Sequence, residues 1–392
     1  MDDLNVGAPI MKVDALERPA IRTFMEMPGT LAGVSMTCRS ILTGAAAAGV
    51  KVDLFTSYLD GVAPHGLIVH TSLPRLLQTL PYGVTKHLVR SRLRNQFLDA
   101  VSEGDIAYLW PSTPLHIYEA LAARGVPIVV EAVNTRMATA KPLLDAAYDA
   151  LGFAPGHGIT EARIAEQNTR QALCRAVFTP SPATEQSMRG TVLEHRIIPT
   201  SYGTWVPKSL APRPRKNNDE PVTFLFLGRL CVRKGAHFLL DAWRRAPKNA
   251  TLRIVGDIEP ALRTIFADVL DAPNVRCVGF TLDIAAEFAR ADVAVLPSLE
   301  EGDPIATYEA AAHGLPVIAS AVGAGRIGSE TGAINIVDPS DAQALRQRFE
   351  DFAASEELRR HWGDLARSAS LGYDWNLVAP LRMQRLFAFL KR

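Results

Sequence analysis

Short apolar runs bounded by Gly, Pro and charged residues alternate with longer segments of mixed polarity along almost the whole chain. In the first half the runs predict strands near 20–27, 51–57, 105–110, 127–133, 176–180 and 196–199, with helical stretches at 31–48, 113–124 and 160–174 between them. The second half repeats the pattern. Strands are expected near 222–228, 251–256, 275–279, 293–297, 316–320 and 334–337, and helices near 235–246, 260–270, 282–290 and 304–313. Continuously apolar strands separated by helices imply parallel sheets covered on both faces, hence an α/β chain. Residues 211–220 (APRPRKNNDE) are polar and Pro-rich, and read as a linker. We set the boundary near Thr204, giving domains 1–204 and 205–375.

Length supports two cores, because 392 residues exceed what one hydrophobic core normally organises. Apolar content of 48% and charged content of 21% are those of a globular protein. A net charge of +1 argues against a nucleic-acid binder driven by bulk electrostatics. No apolar run approaches the roughly 18 residues of a membrane span, and Met1-Asp2-Asp3 lacks a basic-then-apolar leader pattern. Cys38, Cys174, Cys231 and Cys277 have neither metal-ligand nor disulfide-framework spacing. They read as reduced core or near-core thiols of a cytoplasmic protein.

The stretch with most chemistry follows the apolar run at 293–296. Glu301 and Glu309 stand eight positions apart across Gly302, Asp303, Pro304 and Ile305. Asp303 suits an N-cap and Pro304 the first helical position, with Gly314 and Pro316 ending the helix. A strand that runs into a loop and a helix N-terminus is a place for phosphates. Glu309 would lie about 8 Å further along the axis, at ~1.5 Å per residue, a reach that fits a ribose hydroxyl. Upstream, Phe224–Leu230 forms a strand ending in Gly228-Arg229, followed by Arg233-Lys234-Gly235.

These two blocks, in this order and separation, resemble the family-4 retaining glycosyltransferases. The resemblance covers nearly all of 221–340 and, more weakly, the whole chain. It implies the GT-B fold, two Rossmann-like parallel-sheet domains facing a central cleft. It also implies that the last stretch, about 376–392, crosses back as a helix onto the first domain; the alternative is a helix that simply finishes the second. The implied activity is transfer of a hexose-type sugar from a nucleotide sugar to a glycan or lipid-linked acceptor. No metal or other cofactor is implied.

A diphosphate leaving group that gains charge without a metal needs fixed cations and N–H dipoles. On the resemblance, Arg229 and Lys234 supply the cations, Gly228 lets the backbone approach, and Glu301 reaches the donor sugar, with Glu300 as a competitor. Glu309 takes the ribose hydroxyls, and Gly302, Asp303, Pro304 and Ile305 line the phosphates. Pro304 departs from the commoner Gly-Phe-Gly loop and donates no N–H. Phe280, after the strand at 275–279, either stacks on the base or belongs to the core.

The first domain is expected to hold the acceptor, with Gly29 and Gly33 in the loop after the first strand. At the tip of the 127–133 strand, where the family usually carries His, stands Asn134. Asn binds a hydroxyl but cannot shuttle a proton near neutral pH. Lys86–Arg94 is the one marked basic cluster, either a solvated face or a contact for the inner, anionic face of a membrane. Two other readings stay open: a nucleotide-sugar epimerase or hydrolase on the same fold, and a non-catalytic sugar-nucleotide binder.

Overall fold

In a computed structural model, residues 19–31, 33–73, 82–210 and 220–392 are described; the side chains of 82–88 are not. All but the last residue of the linker at 211–220, and the extreme N-terminus, lie outside the described residues.

The first sheet takes β1 (Ile21–Met25), β2 (Val52–Thr56), β3 (Ile68–Thr71), β4 (Ile106–Leu109), β5 (Ile128–Glu131), β6 (Ala176–Thr179) and β7 (Ile197–Pro199) in the order β3-β2-β1-β4-β5-β6-β7. The second takes β8 (Val222–Leu227), β9 (Ala250–Val255), β10 (Val275–Gly279), β11 (Val293–Leu296), β12 (Val317–Ala319) and β13 (Asn335–Ile336) in the order β10-β9-β8-β11-β12-β13. Neighbouring strands are parallel throughout. Central strands β2, β4, β5, β6 and β11 are buried at every residue, because helices cover both faces. Strand order reverses between β1 and β4 in one sheet and between β8 and β11 in the other. Such switch points open crevices at the carboxyl ends of strands, where ligands bind in this architecture. This is the α/β, two-sheet arrangement expected from the apolar pattern.

One local expectation fails and two elements went unannounced in the sequence, each for a physical reason. β3 carries His70 and Thr71 on a sheet edge and is half-exposed, so it has no apolar run to announce it. The single helix expected over 260–270 is two, Pro260–Ile265 and Ala267–Leu270, separated by Phe266 at φ −109°, ψ 27°. The helix Met137–Ala150 carries Pro142 in its interior, which masked it in the sequence.

The chain passes between the sheets twice, side by side. Thr204 bridges to Asp374, with the Thr204 N–H donating to Tyr373 O at 3.0 Å and the Trp375 N–H to Thr204 O at 3.1 Å. The helix Trp375–Leu390 then packs along Gly33–Ala47 of the first sheet's layer. Its Arg382 is fully buried, donating to Glu131 Oε2 at 2.5 Å and Thr200 Oγ1 at 3.1 Å, with its guanidinium 4.5 Å from the Phe178 ring centroid.

Candidate active site

The second domain builds its part of the cleft from the ends of β8 and β11. After β8 come Gly228 (φ +122°), Arg229 and a one-turn 3₁₀ helix, Val232–Lys234. Gly235 closes that turn at φ +65°, and a Cβ there would stand 1.8 Å from Pro297 O. Only glycine lets the β8 turn press against the chain leaving β11. That contact brings Arg233 and Lys234 onto the loop at 298–301.

Glu301 is the centre of the resulting ion cluster. Its Oε1 accepts from Lys234 Nζ at 2.6 Å and Ser298 Oγ at 3.3 Å, and its Oε2 accepts from Arg233 Nη1 at 3.0 Å. Burial acts to raise its pKa, but Lys234 and Arg233 outweigh that and hold it down at about 2. The Arg233 guanidinium is correspondingly raised, by Glu301 against its own burial. Lys234 is thus paired. Arg229 is exposed and has no hydrogen bond or ion pair among the described residues. Arg233, quoted in the upstream block but given no role from sequence, is the cation that joins Glu301 to the Glu300 carboxylate, 3.4 Å away. Proximity to Gly235 was its only signal.

Glu309 sits one turn into the helix Ile305–Ala312, half-buried, its carboxylate without a hydrogen-bond partner among the described residues. Burial alone pushes it up to about 7. An unpartnered carboxylate held in a poorly solvated place is an unfilled acceptor for hydroxyl donors. Phe280 is 67% exposed beyond the end of β10, so the core alternative for it fails.

Asp303 is not the N-cap that the sequence pattern suggested. Pro304 holds that position and the helix has no side-chain cap. The Asp303 carboxylate is instead buried against the first domain, accepting from Tyr202 N at 2.8 Å, Arg326 N at 2.9 Å and Tyr308 Oη at 2.6 Å. Burial outweighs those donors and pushes it up to about 6. Three donors in a buried hub left by the tight 302–304 turn were stronger partners than the helix end. Gly302 also belongs to this seam. Ser181 Oγ donates to its carbonyl, and a Cβ on it would stand 2.0 Å from Val133 O.

On the facing side neither Gly29 nor Gly33 lines the cavity described below. The Gly29 N–H is used by Tyr58 O at 2.8 Å, and its carbonyl accepts from Arg39 and the Asp60 N–H, while Gly33 opens the Gly33–Ala47 helix at φ +57°. Asn134, at the tip of β5, does reach the cleft. A cavity of about 790 Å³ lies between the domains, lined among others by Glu26, Trp110, Asn134, Arg229, Arg233 and Glu300. The one non-glycine residue at positive φ among the described residues, Ser112 at φ +70°, lines it too. Of the basic cluster, Arg94 donates to Glu26 at 2.5 Å and Arg90 lies 3.5 Å from the same carboxylate, so both turn inward. Lys86 and His87 fall among the undescribed side chains.

Cys38, Cys174 and Cys231 are free and buried, whereas Cys277 is exposed on edge strand β10 rather than near the core. No group of three or more His, Cys, Asp or Glu side chains suited to a metal occurs among the described residues. No described helix is long and apolar enough to cross a membrane.

Residues 221–355 match the family described as Glycosyl transferases group 1. Over 417 aligned residues, 94% of this chain and 93% of the relative, the chain is 26% identical to a D-inositol 3-phosphate glycosyltransferase of Pseudarthrobacter chlorophenolicus. Among solved structures, sucrose-phosphate synthase from Thermosynechococcus elongatus superposes with a TM-score of 0.67 at 22% identity, covering 95% of this chain and 99% of that one. Anabaena HepE in complex with UDP and glucose superposes with a TM-score of 0.65 at 15% identity, covering 94% and 99%. The superposed structures share the GT-B fold with this chain, and its second domain carries the segment that matches the group 1 glycosyl transferases, which supports a glycosyltransferase enzyme.

Proposed function

We propose that the chain is a retaining, metal-independent glycosyltransferase that moves a hexose-type sugar from a nucleotide sugar to a glycan or lipid-linked acceptor. The observation that carries the donor site is Glu309, a desolvated carboxylate with no partner among the described residues, eight residues beyond the Glu301 ion pairs with Arg233 and Lys234. Glu309 takes the ribose hydroxyls, and Phe280 offers an exposed ring to the base. Gly228 allows close approach to the diphosphate, with the half-buried Ile305 opening the helix behind it, while Gly302, Asp303 and Pro304 are buried and support the loop from the seam rather than touching the phosphates.

Arg229, unpaired among the described residues, and Lys234, which can trade Glu301 for a phosphate, meet the charge that grows on the leaving diphosphate. Glu301 fixes both Lys234 and Arg233 and faces the donor sugar. In the transfer the bond from the anomeric carbon to the phosphate oxygen breaks, and the acceptor hydroxyl bonds to that carbon on the same face. The hydroxyl's proton passes to the departing phosphate oxygen. That step asks for no side-chain base, in keeping with Asn134 at the tip of β5.

In this reading the enzyme works in the cytoplasm, a reducing compartment in keeping with its four free thiols. Membrane contact through Lys86–Arg94 is the lesser part of the reading, since Arg90 and Arg94 are engaged with Glu26. Co-sedimentation with anionic liposomes at low salt would support it; protein left in the supernatant would remove it.

Thermal melting with UDP-, GDP- and ADP-sugars, with and without EDTA, tests the donor site. One nucleotide raising Tm in wild type, insensitive to EDTA and without effect on Arg229→Ala/Lys234→Ala, is the expected result. No shift with any nucleotide sugar would favour the non-catalytic alternative. Release of free sugar or its epimer without acceptor would favour the epimerase or hydrolase.

A further inference from the structure

Glu300 is buried, 2% exposed, and belongs to the second domain, yet its carboxylate is bonded chiefly to the first. Oε1 accepts from the Thr135 backbone N–H at 2.9 Å and from Thr135 Oγ1 at 2.7 Å. Oε2 accepts from Asn134 Nδ2 at 3.1 Å and lies 3.4 Å from Arg233 Nη1, which also donates to the Glu300 carbonyl at 2.9 Å. One side chain therefore ties the tip of β5 to the donor-side cation cluster across the floor of the cavity. Burial pushes this carboxyl up, opposed by Arg233 and the Thr135 donors.

The consequence lies in the polarity of Asn134. An ionised carboxylate only accepts hydrogen bonds, so it requires the amide NH₂ of Asn134 to face it. The Asn134 carbonyl oxygen is then directed away from Glu300. It has no partner among the described residues, and the exposed Asn134 side chain lines the cavity. We propose that Glu300 is a positioning residue that fixes Asn134 so that its Oδ1 accepts a hydrogen bond from a hydroxyl of the acceptor substrate, making Asn134 a determinant of acceptor binding. The inference rests on the acceptor entering this cavity, as in the proposed function. It selects acceptors that present a hydroxyl donor at this point over ether or deoxy analogues, whose loss would leave a polar atom unmet.

The decisive variant is Glu300→Gln. Glutamine keeps the size but replaces one acceptor oxygen with NH₂. If its oxygen takes the two Thr135 donors, its NH₂ confronts the amino groups of Asn134 and Arg233. Asn134 answers by turning over, which puts its own NH₂ into the cavity. Kinetics are measured with UDP-glucose as donor and with D-inositol 3-phosphate and n-octyl glucoside as acceptor probes. Glu300→Gln and Asn134→Ala should each raise the acceptor KM by about 10-fold, leaving the donor KM and the UDP-glucose shift in Tm as in wild type. The double variant should be no worse than either single one, because both remove the same interaction. Equal changes in donor and acceptor KM, an additive double variant, or a lowered Tm with unchanged kinetics would overturn the proposal.

If neither probe is glycosylated, asparagine-selective ¹⁵N NMR decides. The Asn134 NH₂ should be protected from exchange in wild type and lose that protection in Glu300→Gln; rapid exchange in both would overturn the clamp. Absence of any UDP-glucose shift in wild type would instead tell against the donor reading and leave the NMR test of Glu300 standing.

Discussion

Replacing Glu309 with Gln should make the ligand-free protein more stable while weakening its hold on a nucleotide. The carboxylate lies half-buried on the Ile305–Ala312 helix with no partner among the described residues, and burial raises it from an ordinary 4.5 to about 7. At ~1.4 kcal/mol per pKa unit this corresponds to about 3 kcal/mol, an upper figure because the side chain keeps some contact with water. The folded protein holds the Glu309 proton more tightly than the unfolded chain does. Its contribution to stability is therefore complete below pH 4.5, declines as pH rises towards 7, and levels off above that. Gln carries no such slope. Urea titrations from pH 5 to pH 8 should show the variant gaining on wild type as pH rises, by about 1–3 kcal/mol at pH 8. UDP-sugar stabilisation should be reduced in the same variant, since the two ribose hydroxyls lose their anionic acceptor. Equal stability and equal pH slope in the two proteins would refute the reasoning, because the carboxylate would then be solvated or paired and have no vacancy for a ligand.

Arg382→Ala strands Glu131 in a site where both side chains are fully buried, and should cost about 3–5 kcal/mol in chemical denaturation, with the double replacement Arg382→Met/Glu131→Gln, which removes both charges, costing clearly less. Gly302→Ala places a Cβ 2.0 Å from Val133 O and should force the domain faces apart. Circular dichroism should stay native while kcat falls on the order of 100-fold, and unaltered kcat would show that this seam does not set the catalytic geometry. Lys234→Ala removes the nearest cation from Glu301, whose contribution to stability is present above its unfolded value of 4.5 and lost as pH falls through about 2. Melting curves between pH 2 and 5 should show the variant losing stability at a higher pH than wild type; coincident curves would contradict the pairing.

The sheet strands were legible because both sheets are covered on two faces, which forces continuous apolar runs such as 106–109 and 293–296. β3 escaped because an edge strand with His70 and Thr71 needs no such run. Around the cleft, the spacing of Glu301 and Glu309 and the Arg229/Lys234 block are local and could be read from the chain. What depends on the other domain could not. Asp303 looks like a helix cap in sequence, yet Tyr202 and Arg326 claim its carboxylate across a gap of 101 and 23 residues. Glu300 looked like a competitor of its neighbour until its bonds to Asn134 and Thr135, 166 and 165 residues away, gave it a different place. Gly29 illustrates the converse: a loop glycine suggests ligand approach, but Tyr58 and Arg39 already use its backbone groups.

The most direct test of the central claim is the anomeric configuration of the transferred sugar, read by proton NMR of the product formed from an α-linked nucleotide sugar in the presence of EDTA. The account predicts an α-linked product at an undiminished rate, with turnover lost in Arg229→Ala/Lys234→Ala. A β-linked product, or transfer that stops when EDTA is added, would contradict it.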